Sequence, residues 1–162
     1  MGDRAVGRPR VAWPLLALAL VAASACLGEA ADVAFRQVAS GQFSAIQGQA
    51  PQVFKLQDPN EWRDFWTQHT EGLDPAPPLP AVDFVTDMVI AVVDQQQPSA
   101  GYSLEVKEIV EQDGRLEVYA IRGVPGADCV NADVITQPFQ IVALARSDAE
   151  PRLFLRVEEH SC

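Results

Sequence analysis

The stretch YSLEVKEIVEQDGRLEVYAI, residues 102–121, decides the fold. Its first half alternates apolar and polar side chains, as in Leu104-Glu105-Val106, which is typical of a strand buried on one face. Asp113-Gly114 follows, a dipeptide that favours a tight hairpin because both residues tolerate positive φ. Residues 116–121 then alternate again. The stretch therefore predicts two antiparallel strands joined by a hairpin.

Further strand patterns surround this hairpin. Residues 88–93, MVIAVV, form a continuous apolar run, as expected for a strand covered on both faces. Residues 138–145 predict a further strand, with Pro138 at its start, where a missing N–H donor matters least. Residues 153–157 predict the last strand. In residues 31–57 apolar and polar side chains alternate loosely, and glycines and a proline interrupt the pattern. This segment predicts two or three short strands joined by turns.

One helix is predicted within this strand-rich chain. Asp58 as the N-cap, Pro59 at the first helical position and Glu61 at the third form a capping pattern. We expect the helix to run from about 59 to 70, with Gly72 ending it. Its aromatic residues share one face, which we expect to be buried: Trp62, Phe65, Trp66 and His69. The predicted fold class is α+β, with a mainly antiparallel sheet and the helix packed on one face.

Residues 75–80, PAPPLP, cannot form a helix or a central strand, because proline lacks an N–H donor and fixes φ. We interpret them as a stiff connector between the helix and the next strand. A polyproline II ligand for an aromatic groove is the alternative.

The start of the chain predicts a secretory signal peptide. Three arginines within the first ten residues precede an uncharged segment, 11–23, and small residues follow it. A membrane-spanning helix needs about 20 apolar residues, which this segment does not reach. The chain accordingly divides into a signal peptide, 1–25, N-terminal strands or a linker, 26–52, and a main domain, 53–162.

Two cleavage sites fit this leader. Ala23-Ser24-Ala25 before Cys26 resembles a bacterial lipobox, although Ala23 stands where lipoboxes usually carry leucine, and this site would make Cys26 an acylated anchor. A cut after Ala30 would instead discard Cys26 and release a soluble protein. Both routes predict an exported protein of the bacterial cell envelope, either periplasmic or a membrane-anchored lipoprotein.

The cysteines predict one disulfide. Both cleavage routes remove Cys26 from the free thiols, which leaves Cys129 and Cys162. In an oxidising compartment an even set of thiols pairs. The bridge would close a ring of about thirty residues and contribute about 3–4 kcal/mol by loop entropy. Two buried, unpaired thiols are the alternative.

Charge and motifs disfavour several classes of function. The formal net charge of −10 argues against nucleic-acid binding. His69 and His160 lack the spacing of a metal site, and no nucleophile elbow or phosphate loop occurs. We therefore predict no metal, no cofactor and no enzymatic activity. A hydrolase that uses paired carboxylates is the remaining catalytic alternative.

The second half of the chain contains four short motifs: Asp83-Phe84, the apolar strand 88–92, Pro98-Ser99-Ala100-Gly101-Tyr102 and Thr136-Gln137-Pro138. With the aromatic residues of 61–69, they resemble the C-terminal domain of the PrcB-like family over about residues 55–146. The namesake of that family is an exported lipoprotein subunit of a protease complex and stabilises a subtilisin-like protease. For this chain the resemblance implies an envelope protein that binds another protein without itself cutting peptide bonds. It offers no catalytic residues to carry over.

The predicted function is therefore non-catalytic binding or stabilisation of another exported protein, with a protease as the family's example. Membrane contact is expected only through a lipid anchor on Cys26. A small-molecule or peptide-binding periplasmic module is the alternative. Because loops on a rigid sheet usually carry recognition, we expect partner contacts from loops 95–101 and 123–133. The candidate residues are Gln97, Pro98, Ser99, Gly101, Tyr102, Asp128 and Asn131.

Overall fold

A computed structural model describes residues 30–162 together with Gly2. The predicted signal peptide, apart from Gly2, and Cys26 lie outside the described residues. The elements, in chain order, are β1 (Ala31–Asp32), β2 (Phe35–Gly41), β3 (Gln52–Leu56), α1 (Pro59–His69), β4 (Asp87–Val93), β5 (Ser103–Gln112), β6 (Arg115–Pro125), β7 (Phe139–Ala145) and β8 (Glu150–His160). In the described part of the chain, no helix is long and apolar enough to cross a membrane.

The strands form two four-stranded sheets. Sheet A has the order β1-β5-β6-β8, and sheet B has the order β2-β7-β4-β3. Every pairing is antiparallel except β6–β8, which is parallel. The predicted α+β class with mainly antiparallel strands is confirmed. The early strands β1 and β2 pair with β5 and β7, so they are built into the same two sheets as the later strands.

Strand β4 explains why one run of sequence is apolar throughout. Its alternate residues Met88, Ile90 and Val92 pack against sheet A, within the core between the sheets. The intervening residues pack beneath α1 on the other face of sheet B: Val89, Ala91 and Val93. Sheet B is therefore covered on both faces, as the continuous apolar pattern predicts. The molecule has three layers: sheet A, sheet B and α1.

Helix α1 begins as predicted. The Asp58 carboxylate accepts hydrogen bonds from the backbone N–H groups of Asn60, at 2.7 Å, and Glu61, at 3.0 Å. The Glu61 side chain accepts from the N–H of Gln57, one residue before the cap. Thr70 is the C-cap, so the helix ends one residue earlier than predicted.

The proline-rich segment is a connector that packs on the helix. The indole N–H of Trp62 donates to the Pro80 carbonyl oxygen at 2.9 Å, and that of Trp66 donates to Pro77 at 3.0 Å. Both indoles are buried, and these carbonyls satisfy their N–H groups.

Two boundaries differ from the sequence prediction. The predicted loop 123–133 begins later, because Gly123–Pro125 continue β6 and pair with β8. Strand β8 is also longer than predicted, Glu150–His160 instead of 153–157. In both cases the residues have a weak strand pattern of their own, and pairing between the parallel strands β6 and β8 extends the strand. Pro125 lies at the end of its strand, where its missing donor costs least.

Candidate partner-binding surface

The two sheets differ in what covers their outer faces. Helix α1 packs on sheet B, whereas nothing within residues 30–162 packs in the same way on sheet A. Alternation along β6 and β8 turns Val118, Ala120 and Leu155 into the core. The intervening side chains of β6 and β8 point outward and, with two residues of β5, form a surface that we call the open face. Its residues are Lys107 and Glu108 of β5, Tyr119 and Ile121 of β6, and Arg152, Phe154 and Arg156 of β8.

Two aromatic rings lie at the centre of the open face. The parallel register places Tyr119 opposite Phe154, and their rings stack with centroids 5.0 Å apart and an interplanar angle of 18°. The guanidinium carbon of Arg152 lies 4.9 Å from the Phe154 ring centroid, within cation–π range. An open groove of about 440 Å³ lies beside this pair.

The Tyr119 phenol is hydrogen-bonded and remains neutral at physiological pH. Its hydroxyl donates to Glu117 at 2.6 Å. This hydrogen bond is the main cause that raises the pKa of Tyr119, and desolvation and the negative charges of Glu117 and Glu108 act in the same direction. The ring therefore presents an uncharged aromatic face beside the groove.

A second depression continues the open face toward one end of the molecule. It has a volume of about 530 Å³ and shares Lys107 and Ile121 with the groove. Its other lining residues include Gly101, Tyr102, Glu105, Glu158, Glu159 and His160. The two depressions together join the open face to the loops that precede β5 and follow β6.

Those two loops, residues 95–102 and 126–136, are joined to each other, and we call them the loop end. Gln97 and Thr136 exchange backbone hydrogen bonds of 2.8 and 3.1 Å. The Thr136 hydroxyl donates to the Ser99 carbonyl oxygen at 2.9 Å. The structure thus joins the candidate residues Gln97 and Ser99 to Thr136 of the second loop, which was not a candidate and lies 37 residues after Ser99.

Gln97 has a structural role in the loop end. Its side chain is buried and donates to the Asp94 carboxylate at 3.0 Å, so in this conformation it is not available to a partner. Asp94 also receives the N–H of Gln95 and two bonds from the Arg122 guanidinium, of which the Nε bond is 2.7 Å. Asp94 follows β4 and Arg122 lies in β6, so this buried ion pair fastens the two sheets together.

The Asp94–Arg122 pair was not predicted from the sequence. An aspartate directly after an apolar strand was a local signal for it. Its basic partner is 28 residues away, on another sheet, and could not be identified from spacing.

The other candidate residues are more accessible. Pro98 and Asp128 are exposed, and Ser99, Gly101, Tyr102 and Asn131 are partly buried. Gly101 has φ of +91°, a backbone conformation that favours glycine, and its Cα faces the end of the Asn131 side chain. Tyr102 lines the second depression. Whether these residues contact a partner remains a prediction.

A disulfide closes the same end of the molecule. Cys129 and Cys162 are bonded, as the cysteine count predicts, with their Cα atoms 5.1 Å apart. His160 lies beside them, and one ligand atom from each of the three residues falls within 4.8 Å of the others. Sequence spacing did not predict this cluster, because Cys129 is 31 residues from His160 and reaches it only through the β6–β8 pairing.

Comparison with known families gives one match. Residues 88–145, from β4 to β7, match the family model described as PrcB C-terminal. The match confirms the predicted resemblance over this segment, which includes Tyr119 and the whole loop end. No curated protein and no solved structure matches the chain.

Proposed function

We propose, from the premise that the chain is a PrcB-like protein over residues 88–145, that it is a non-catalytic subunit which binds and stabilises another protein. The family suggests association with a protease complex. We further propose that the partner is an exported protein and that a subtilisin-like protease is the first candidate to test. Export is itself part of the proposal and rests on the leader pattern of residues 1–25.

The observation that carries this proposal is the stacked Tyr119–Phe154 pair on the open face. Aromatic residues and arginine dominate the energetics of protein–protein interfaces, because they bury large areas and combine apolar and polar contacts. Here two aromatic rings and Arg152 lie together beside a groove on a sheet face that no described element covers. A partner bound here would cover the outer face of sheet A, as α1 covers the outer face of sheet B.

Charges on the open face are mixed in sign. Lys107 pairs with Glu105 at 2.7 Å, and Arg156 pairs with Glu158. Exposed pairs of this kind contribute little to stability and suit the rim of an interface. We therefore expect burial of apolar area, rather than charge attraction, to dominate partner affinity, so that added salt weakens binding only slightly.

The test is a comparison of two variants in affinity capture from detergent-solubilised membranes. The wild-type chain should recover one dominant exported partner at near-stoichiometric yield. The double variant Tyr119→Ala/Phe154→Ala should reduce recovery at least about tenfold, as loss of interface hot spots does. Val85→Ala is the control for loss of an apolar side chain elsewhere on the surface, because Val85 is 85% exposed and lies before β4, away from the open face.

Equal recovery with the double variant and the control would contradict the open face as the binding surface. No stoichiometric partner under any condition would contradict the binding function. If the captured partner is a subtilisin-like protease, its half-life in the purified mixture should be longer with the wild-type chain than with the double variant.

We keep the two cleavage routes as alternatives for how the protein is held in the envelope. The N-terminal mass of the mature protein decides between them. A diacylglyceryl-modified Cys26 indicates an anchored lipoprotein. An unmodified N-terminus at Ala31 indicates a protein without a lipid anchor.

A small-molecule or peptide-binding module is the second candidate function, and the 530 Å³ depression favours it. Its volume lies within the usual range for ligand sites. A ligand-dependent rise in melting temperature across a metabolite and peptide panel, abolished by Tyr102→Ala, would support this function over protein binding.

A further inference from the structure

We propose that the Cys129–Cys162 disulfide is the oxidised form of a metal site. In the reduced form, the two thiolates and the His160 imidazole bind a divalent ion of borderline softness, such as Zn²⁺. The disulfide and the metal complex exclude each other, because both use the same two sulfur atoms.

The ligand set and its spacing fit such an ion. Thiolate and imidazole are the ligands that Zn²⁺ prefers, with Zn–S bonds of about 2.3 Å and Zn–N bonds of about 2.0–2.1 Å. Around a tetrahedral ion these bond lengths place the ligand atoms roughly 3.5–4 Å apart. In the oxidised form the two sulfurs are bonded to each other, and a His160 ring nitrogen lies within 4.8 Å of both. Parting the two sulfurs and inserting the ion therefore requires only small side-chain movements.

Contacts other than the disulfide hold the three residues together. The N–H of Gly126 donates to the His160 carbonyl oxygen at 2.9 Å, and β6 pairs with β8 as far as Pro125 and His160. The Asp128 carboxylate accepts the N–H of Cys162 at 3.1 Å. Reduction breaks one bond of this assembly and leaves the backbone bonds in place. The reduced site is therefore largely preformed, which lowers the entropic cost of metal binding.

The surroundings favour a cation. Glu158 and Glu159 line the same depression as His160, and their carboxylates make the approach to the site acidic. His160 and Cys162 are exposed, so an ion can reach the site from solvent. Three protein ligands leave a fourth position for water, an arrangement that binds Zn²⁺ more weakly than a closed four-ligand site.

The conversion balances chemically. A dithiol reductant transfers two electrons and two protons to the S–S bond, giving two thiols and a cyclic disulfide of the reductant. Binding of Zn²⁺ then replaces the two thiol protons, which are released. Reoxidation by a disulfide oxidant re-forms the S–S bond and expels the ion.

Cobalt titration tests the proposal with a spectroscopic readout. The purified chain is reduced with a dithiol, freed of reductant without air, and titrated with CoCl₂. The reduced protein should develop thiolate-to-cobalt charge-transfer absorption that saturates at one ion per chain, and the oxidised protein should not. Zn²⁺ should displace the cobalt, because it binds such ligands more tightly.

Variants assign the ligands. Cys129→Ser/Cys162→Ser should abolish the charge-transfer band, and His160→Ala should retain it but weaken binding at least about tenfold, as loss of one metal ligand does. Asp133→Asn is the matched control, since Asp133 is an exposed acid in the same loop but lies outside the cluster, and its binding curve should match the wild type.

Two binding results would overturn the proposal. One is a reduced wild-type protein that binds Co²⁺ no better than the double cysteine variant. The other is unchanged affinity in His160→Ala, which would reduce the site to two unassisted thiols. Fluorescence of the buried Trp62 and Trp66 reports whether the reduced chain stays folded. Loss of native emission together with loss of binding also contradicts the proposal, because the backbone contacts would then not hold the site without the disulfide.

Discussion

At the scale of single residues, polar groups inside the molecule carry defined tasks. His69 is 2% exposed, and its Nδ1 lies 2.9 Å from the Ser44 hydroxyl. Its ring packs edge-on against Phe139, with centroids 4.2 Å apart. Sequence spacing placed His69 correctly on the aromatic face of the helix. The hydrogen bond to Ser44 was not predictable, because Ser44 lies in an irregular segment 25 residues earlier.

His69 should make the protein less stable in acid. Desolvation by burial lowers the pKa of His69 from 6.5 to about 4. The His69 side chain of the unfolded protein therefore binds a proton near pH 6.5, whereas in the folded protein it binds one only near pH 4. Because protons bind preferentially to the unfolded state between these values, the free energy of unfolding falls as the pH drops from 6.5 to about 4. We expect this residue to account for a loss of up to about 3 kcal/mol.

Denaturant unfolding at pH 7 and pH 4.5 measures this loss, with His69→Gln as the comparison. The variant should lose less free energy of unfolding over this interval than the wild type, because carboxylates contribute to both proteins and the histidine to only one. Identical losses in the two proteins would show that His69 does not titrate as argued.

The buried ion pair between the sheets should matter more than exposed pairs. Arg122→Met leaves the Asp94 carboxylate, which is 1% exposed, without its charged partner. Breaking a buried pair in this way costs about 3–5 kcal/mol. Arg156→Met is the matched control, because it removes a 72% exposed partner of Glu158 and should cost less than about 1 kcal/mol. Similar midpoints for the two variants in urea unfolding would contradict the structural role of the Asp94 pair.

At the scale of elements, local signals succeed where local physics decides. The α1 boundaries follow from the Asp58 cap, Pro59 and the aromatic spacing, and the structure agrees within one residue. The hairpin turn also forms where predicted, with Asp113 at φ of +50° and Gly114 at +72°. The end of β6 was missed, because its last residues are held by β8, and a proline-containing segment such as Gly123–Pro125 has no strand signal of its own.

The helix cap gives a test at this scale. Asp58→Ala removes both side-chain bonds to the first turn of α1 and should cost about 1 kcal/mol in the free energy of unfolding. Asp64→Ala, on the exposed face of the same helix, should change it by less than about 0.5 kcal/mol. Chemical denaturation of both variants checks the difference, and equal costs would rule out the cap as the cause.

At the scale of the whole molecule, the arrangement of the layers was the least predictable feature. The alternation of β5 and β6 shows which of their side chains are buried, but it does not show which strands share a sheet. The sequence therefore predicted one sheet, whereas the structure has two. The loop end has the same difficulty. Gln97 and Thr136 meet because β4 and β7 are neighbours in sheet B, a pairing that depends on the complete chain.

The two fastened ends of β8 have a consequence for attack by proteases. Strand β8 lies at the edge of sheet A, and an edge strand that frays is the segment that a protease binds and cuts. At its start, the Lys55 ammonium group donates to the Ala149 carbonyl oxygen at 3.0 Å and pairs with Glu150 at 2.9 Å. At its other end, the disulfide ties Cys162 to the loop after β6. Neither end is free to separate from its neighbours, so this edge should resist digestion.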